Sequence, residues 1–133
     1  MGTHSRKVLV VEDDPELNEM IGAYVEIAGY EYDPAHDGSD ALKSAKDHHP
    51  SLILLDVMLP DFDGFEVCRR LQSEQTTRCI PVVMLTTLDR DEHRAQGLEC
   101  GAREYLTKPF DPDQLIKTIQ DTVNGNGDCN SNS

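Results

Sequence analysis

Short, uninterrupted apolar runs alternate along the chain with segments of helical periodicity. The three strongest runs are residues 8–11 (VLVV), 52–55 (LILL) and 82–85 (VVML). They lack polar alternation, which is typical of strands buried on both faces of a parallel sheet. Residues 30–32 and 103–106 are weaker strand candidates. Pro34 closes the first of these and favours an edge position, because proline cannot donate to a central ladder.

Five helices are predicted between and after these strands. The first has apolar residues at helical spacing: Leu17, Met20, Ile21, Tyr24, Val25 and Ala28. Asp14 and Pro15 supply its start and Gly29 its end. The second contains residues 41–45, the third begins near Asp63, a weak fourth spans about 91–100, and the fifth contains 115–123. This (βα)₅ pattern predicts a doubly wound α/β fold, a five-stranded parallel sheet in the order 2-1-3-4-5.

The two ends of the chain are polar and are expected to be flexible. Residues 1–6 and 124–133 flank a single predicted domain, residues 7–123. The last ten residues, NGNGDCNSNS, have no apolar side chain except Cys129. Such a composition cannot bury enough surface to order itself. It is typical of a frayed tail or of a linker stub.

Charge and cysteine usage narrow the class of protein. The chain has 25 acidic and 12 basic residues, a formal net charge of −13, which argues against direct nucleic-acid binding. No apolar run is long enough for a transmembrane helix or a signal-peptide core. The cysteines (Cys68, Cys79, Cys100 and Cys129) show no Cys-x-x-Cys spacing. They are therefore predicted to be free thiols in a reducing, cytoplasmic compartment.

Polar residues that could bind a metal ion or take part in catalysis follow four of the five strands. Glu12 and Asp13 follow the first strand, Asp56 the third, Thr86 the fourth and Lys108 the fifth. All are expected at the carboxyl edge of the sheet, where open α/β sheets form ligand sites. Three converging carboxylates repel one another and call for a hard divalent cation such as Mg²⁺.

The same residues indicate a phosphoryl acceptor. The Asp56 carboxylate is ionised at neutral pH and can attack phosphorus without a general base. Lys108 and a metal would neutralise charge on the transferring oxygens, and the Thr86 hydroxyl can donate to an anion. The expected product is a hydrolysable acyl phosphate.

Several segments together resemble a known family. They are VLVVEDDPEL, AHDGSDAL, LILLDVMLPDFDGFEV, IPVVMLTTLD and GAREYLTKPF. The chain closely resembles the receiver domain of two-component response regulators, the CheY-like domain with a flavodoxin-like fold, from about residue 7 to residue 123. The resemblance implies that Asp56 is the phosphoacceptor and that Lys108 pairs with the phosphoryl group. It also implies that Asp13 binds Mg²⁺ directly, with Mn²⁺ as a substitute, Glu12 mostly through water, and Met58 through its backbone carbonyl.

The resemblance further implies a conformational switch. Thr86 would be the switch hydroxyl and Tyr105 the switch aromatic, and the readout face would be the fourth helix, fifth strand and fifth helix. Gly64 would serve the turn after the phosphorylated strand, and Lys108–Pro109 would be a cis peptide. The implied partners are a histidine kinase or phosphotransfer protein, an output domain or effector, and a second copy of the chain after phosphorylation.

Three positions depart from the commonest family pattern. Thr87 stands where the family often has Ala, and Met58 and Leu88 are apolar at positions that could otherwise orient a hydrolytic water. Slow self-dephosphorylation is therefore predicted. The implied role is that of a signalling domain and not of an enzyme acting on other substrates.

Two other functions fit the same predicted fold. A flavodoxin-like cofactor binder needs a Thr-, Ser- or Gly-rich phosphate loop after the first strand, where Glu12, Asp13 and Asp14 would repel phosphate instead. A haloacid-dehalogenase-type phosphatase needs a second Asp two residues after the nucleophile, where Met58 stands. The choice between these functions depends on the site and not on the fold.

Overall fold

The structure, a computed structural model, describes residues 6–86 and 101–125. The predicted fourth helix near 91–100 lies outside these ranges, as do Thr87 and Leu88. Most of the two predicted flexible ends also lies outside them, although Asn124 is the final residue of a helix. The cysteines at 100 and 129 are likewise not among the described residues.

The described ranges contain five strands and four helices. The strands are β1 (Lys7–Val11), β2 (Glu31–Ala35), β3 (Leu52–Asp56), β4 (Val82–Thr86) and β5 (Glu104–Thr107). The helices are α1 (Pro15–Ile27), α2 (Gly38–His48), α3 (Gly64–Ser73) and a last helix (Pro112–Asn124). All strand pairs are parallel, in the order β2-β1-β3-β4-β5. This confirms the predicted doubly wound, flavodoxin-like fold.

Each face of the sheet buries its own apolar layer. Every residue of β3 and β4 is buried, as the continuous apolar runs predict. Alternate side chains, such as Leu9 and Ile53, pack against α2 and α3. The intervening ones, such as Val10 and Leu54, pack against α1 and the last helix. Packing on both faces holds β1, β3 and β4 in place and so positions the residues at their carboxyl ends.

Strand β2 forms one edge of the sheet, as Pro34 predicts. The strand nevertheless continues through Pro34 to Ala35, so the predicted end before the proline is wrong. Proline is tolerated there because an edge strand leaves one side of its backbone without a partner strand.

The buried face of α1 differs from the predicted one. Its buried residues are Asn18, Ile21, Gly22 and Val25. Met20, which the apolar pattern placed inside, is 44% exposed. Gly22 is required on this face because a Cβ atom there would lie 2.5 Å from the Tyr32 ring. The apolar pattern missed this orientation because it counted only apolar side chains as core residues, whereas Asn18 and Gly22 are buried as well.

Aspartates begin all four described helices. The carboxylates of Asp14, Asp37, Asp63 and Asp111 each accept a hydrogen bond from a first-turn backbone amide. Two of these starts, at Asp14 and near Asp63, follow from the sequence. An N-cap of this kind stabilises a helix by about 1 kcal/mol.

The two described cysteines differ in state. Cys68 is a buried thiol on α3, in the apolar layer between the sheet and helices α2 and α3. Cys79 is disulfide-bonded, so the prediction of free thiols is wrong for this residue. No Cys-x-x-Cys spacing in the sequence indicates this bond.

None of the described helices has the length and apolar character needed to cross a bilayer.

Candidate functional site

Three carboxylates meet at the carboxyl edge of the sheet. Glu12 and Asp13 follow β1, and Asp56 is the last residue of the adjacent strand β3. One oxygen from each carboxylate lies within 4.8 Å of the others. Glu12 and Asp56 are buried whereas Asp13 is exposed, so the cluster opens to solvent on one side. The predicted convergence is confirmed.

Lys108 lies between the two buried carboxylates. Its Nζ donates to Glu12 Oε1 at 2.7 Å and to Asp56 Oδ2 at 3.0 Å. The Asp56 contact follows from the sequence, whereas the shorter Glu12 contact does not. The Lys108–Pro109 peptide is cis, as the family resemblance implies.

The electrostatics of the cluster reflect burial and crowding. Burial raises the pKa of the Glu12 carboxyl, and the neighbouring Asp56 carboxylate raises it further, against the lowering by Lys108 and the Asp14 amide. Burial alone would lower the pKa of Lys108, but hydrogen bonds and charge attraction from Glu12 and Asp56 raise it overall. Among the described residues, one cation thus faces three acidic groups, so the acids of the cluster outnumber the cations.

The donor set matches a hard divalent cation. All three side chains offer carboxylate oxygens, the ligands that Mg²⁺ and Mn²⁺ prefer. The negative charge that Lys108 leaves uncompensated gives such an ion a reason to bind. Because Asp13 is exposed, a hydrated ion has access from solvent.

The loop after β3 holds Asp56 from the other side. The Met58 amide donates to Asp56 Oδ1 at 3.1 Å, so each Asp56 oxygen has a donor. The Gly64 amide closes the loop by donating a hydrogen bond to the Val57 carbonyl at 2.8 Å. A Cβ atom on Gly64 would lie 2.2 Å from the Asp56 carbonyl oxygen, so only glycine fits at this turn.

The two predicted switch residues lie on β4 and β5. Thr86 is fully buried at the end of β4, and its carbonyl accepts from the Lys108 amide at 2.7 Å. Tyr105 pairs with Met84 in the sheet register and packs against the α2 and α3 layer, with its hydroxyl oxygen buried. Thr86 therefore touches the backbone of the site, whereas the partly buried Tyr105 lies on the neighbouring strand, in register with Met84 and further from the carboxyl edge.

Comparison with known families gives a clear match. The profile described as the response regulator receiver domain matches residues 8–120. The chain belongs to this family.

Relatives of this receiver domain include proteins of different lengths. It is 40% identical over 114 residues to the DNA-binding dual master transcriptional regulator RpaA of Synechocystis, covering 86% of this chain and 47% of that protein. The chain thus spans about half the length of that curated relative.

Two solved structures show the same fold. Chemotaxis protein CheY4 of Vibrio cholerae is 34% identical with a TM-score of 0.84, covering 90% of this chain and 99% of that one. The receiver domain of sensor histidine kinase PA1611 of Pseudomonas aeruginosa, solved with a magnesium ion coordinated in the active site cleft, is 30% identical with a TM-score of 0.83, covering 92% and 100%.

A contact that sequence reasoning missed ties the site loop of this receiver to α2. Asp61 accepts hydrogen bonds from the Gly38 amide at 2.7 Å and the Ser39 amide at 3.0 Å. These bonds, with another from the Phe62 amide, hold the Asp61 pKa below its usual value, although desolvation works in the opposite direction. No local signal could have found this link, because it joins residues more than 20 positions apart.

An apolar cleft of about 350 Å³ lies beside the receiver's acidic cluster. It is lined by Leu17, Met20, Lys108, Pro109 and Phe110. Lys108 therefore belongs both to the charged site and to an apolar surface next to it.

Replacing Lys108 by Met is expected to separate its two electrostatic effects. Loss of a cation within 3.0 Å of Asp56 should strengthen Mg²⁺ binding about ten-fold, because the acids are then less neutralised. On the phosphoacceptor role that the family resemblance implies for Asp56, it should also slow phosphoryl incorporation about a hundred-fold, because charge on the transferring oxygens loses its partner. Calorimetric Mg²⁺ titration and a labelling time course measure the two. Weaker Mg²⁺ binding in the variant would show that Lys108 does not compete with the ion for the charge of the acids.

Proposed function

We propose that this receiver domain accepts a phosphoryl group on Asp56 and thereby changes its affinity for a partner. The observation that carries the proposal is the buried Asp56 carboxylate, hydrogen-bonded to Lys108 at 3.0 Å and clustered with Glu12 and Asp13. A nucleophile, a cation and a hard-metal ligand set thus share one edge of the sheet. The domain would be a signalling module that catalyses only its own phosphorylation and dephosphorylation.

The residues present fit a bound Mg²⁺, or Mn²⁺ in its place. Asp13, Asp56 and the Met58 carbonyl would hold the ion, and Glu12 would hold it mainly through water. When bound, the ion supplies charge neutralisation for the phosphoryl oxygens. The magnesium ion in the PA1611 receiver structure supports this proposal.

The protein's own groups account for the covalent step. An Asp56 oxygen attacks phosphorus, a P–O bond forms, and the P–N bond of the donor phosphohistidine breaks, so that its electron pair stays on the imidazole nitrogen. A carboxylate nucleophile has no proton to lose in this step, so no general base is needed. Lys108 lies close enough to transfer its hydrogen bond from Asp56 to the new phosphoryl oxygens.

The switch would begin at the new dianion. A phosphoryl group adds about two negative charges and strong hydrogen-bond acceptors. Thr86 would turn its hydroxyl toward them and free space that Tyr105 fills, which shifts the population between two packings. The affected surface would be the segment near 91–100, β5 and the last helix. It would bind an output domain, an effector or a second copy of the chain.

The donor would be a histidine kinase or a phosphotransfer protein. The apolar cleft beside Lys108 gives a protein donor a contact surface next to the acceptor. RpaA is named as DNA-binding, so this receiver would serve such an output only within a longer protein. The net charge of −13 argues against direct DNA contact by these residues.

The two alternative functions fail on the site and not on the fold. A flavin phosphate would meet Glu12 and Asp13 at the first loop, and their charge repels it. A phosphatase of the haloacid-dehalogenase type would need an acid at Met58, whose side chain is apolar and 61% exposed.

Acetyl phosphate labelling tests the proposed function directly. The full chain, incubated with acetyl phosphate and Mg²⁺, should gain the mass of one phosphoryl group in a form stable to acid and labile to base. The same incubation with a chelator should leave the mass unchanged, because the three acids then lack their counterion. Equal labelling with and without the metal, or a base-stable label, would overturn the proposal.

Slow self-dephosphorylation is a second expected property. Met58 is apolar and exposed beside Asp56, so it cannot orient an attacking water. The phosphorylated form should therefore persist for minutes or longer, measured by intact mass at intervals after the donor is removed. Met58→Asn, which adds a polar group at that position, should shorten the half-life. Decay of the wild type within seconds would refute the expectation.

A further inference from the structure

A buried amide lies directly behind the acidic cluster. Asn18, fully buried on α1, points its Nδ2 group at three backbone carbonyls. The distances are 2.9 Å to Glu12, 2.9 Å to Ala35 and 3.2 Å to Val10. An amide nitrogen has two hydrogens, so at least one of them is shared. The Asn18 side chain thus joins α1 to the ends of β1 and β2.

The opposite end of the same side chain is also held. The Tyr32 hydroxyl on β2 donates to Asn18 Oδ1. The Tyr32 ring lies against Gly22, one turn further along α1. Both polar ends of Asn18 are therefore satisfied, which a buried amide requires to avoid a large desolvation cost. The amide orientation is set by donors and acceptors on three elements.

The carbonyl of Glu12 belongs to the peptide group that links Glu12 to Asp13. These are two of the three acids in the cluster. The Glu12 carboxylate has its own contacts, to Lys108 and to the Asp14 amide. Asp13 is exposed, and the orientation of the peptide group before it affects the direction in which its side chain leaves the backbone. Asn18 fixes that peptide group from the buried side.

We propose that Asn18 is a positioning residue for the cation site, acting through the Glu12–Asp13 peptide. The inference rests on the proposed function, because it concerns the divalent ion that the cluster would hold. Groups that orient metal ligands from behind commonly change metal affinity about 10- to 100-fold when they are removed. Asn18 touches no cation itself and acts only on the backbone that carries the ligands.

Calorimetric titration of Mg²⁺ into the full chain tests this role. Asn18→Ala should raise the Mg²⁺ Kd about ten-fold or more, because the Glu12–Asp13 peptide is then free to rotate. Tyr32→Phe keeps the ring against Gly22, removes only the hydroxyl, and should raise the Kd by a smaller factor. The matched control is Val25→Ala, a fully buried apolar truncation two turns along α1. It should lower the thermal midpoint and leave the Kd unchanged.

The outcomes separate positioning from general stability. An unchanged Kd in Asn18→Ala, or an equal rise in Val25→Ala, overturns the inference, because loss of stability alone would then explain the data. If Asn18→Ala does not fold, Tyr32→Phe decides: a raised Kd supports the inference and an unchanged one overturns it. A wild type that binds no Mg²⁺ overturns the proposed function together with this inference. If the wild type binds Mg²⁺ and Asn18→Ala leaves the Kd unchanged, this inference is overturned and the proposed function is not.

Discussion

Replacing Asp56 by Asn is expected to reduce phosphoryl incorporation from acetyl phosphate to below about one hundredth of the wild-type level. A neutral amide is a poor nucleophile, and Asn has one acceptor oxygen in place of the two that accept from Lys108 and from the Met58 amide. The fold should survive, because the change removes one of three mutually repelling charges. Intact mass after a fixed incubation measures the loss, and a thermal melt shows that the variant is folded.

The control for this variant is a second acid on the same loop. Asp63 is exposed, and its carboxylate accepts from the Phe65 amide at 2.8 Å as the N-cap of α3. Asp63→Asn preserves that cap, since Asn caps helices as well as Asp does. It should be labelled like the wild type. Persistent labelling of Asp56→Asn, with the label mapped to another residue, would refute the assignment of Asp56.

Replacing Gly64 by Ala is expected to destabilise the domain by about 3 kcal/mol or more. The added Cβ would lie 2.2 Å from the Asp56 carbonyl oxygen and 2.8 Å from the Val57 Cα atom. Both are backbone atoms at or next to the end of β3, so neither can move without displacing Asp56. The free energy of unfolding, from urea denaturation, measures the cost.

Gly29→Ala separates this clash from a purely conformational cost. Gly29 has a φ of 102° but nothing within 4 Å of an added Cβ. Alanine there should cost about 1–2 kcal/mol for its backbone conformation alone. If Gly64→Ala cost no more than Gly29→Ala, the turn would have room to relax, and the close approach would not constrain Asp56.

The fold follows from the sequence because its strongest signals are local. Continuous apolar runs mark β1, β3 and β4, and Asp14 with Pro15 marks the start of α1. The weaker signals gave larger errors. The apolar pattern of α1 assigned Met20 to the core, whereas the helix buries Asn18 instead. A polar residue on a buried face depends on tertiary partners, here on β1 and β2, that no local pattern reveals.

The site was predictable where residue type alone limits the chemistry. Glu12, Asp13, Asp56 and Lys108 follow strands whose ends must meet, and the structure brings them together. The contacts that hold them were not predictable. Asp61 reaches the start of α2 across the chain, and that contact depends on where two loops come to lie.

Strand β2 also limits unwanted pairing with other chains. The Glu31 amide donates to Arg6 and the Ala35 carbonyl accepts from Glu12, so the backbones of these two residues face β1. Alternation along the strand turns Tyr32 and Pro34 outward. Since proline has no N–H, Tyr32 is the one outward-facing amide donor within these five residues. An incoming strand would find too few donors for a continuous ladder, so this edge resists strand addition and aggregation.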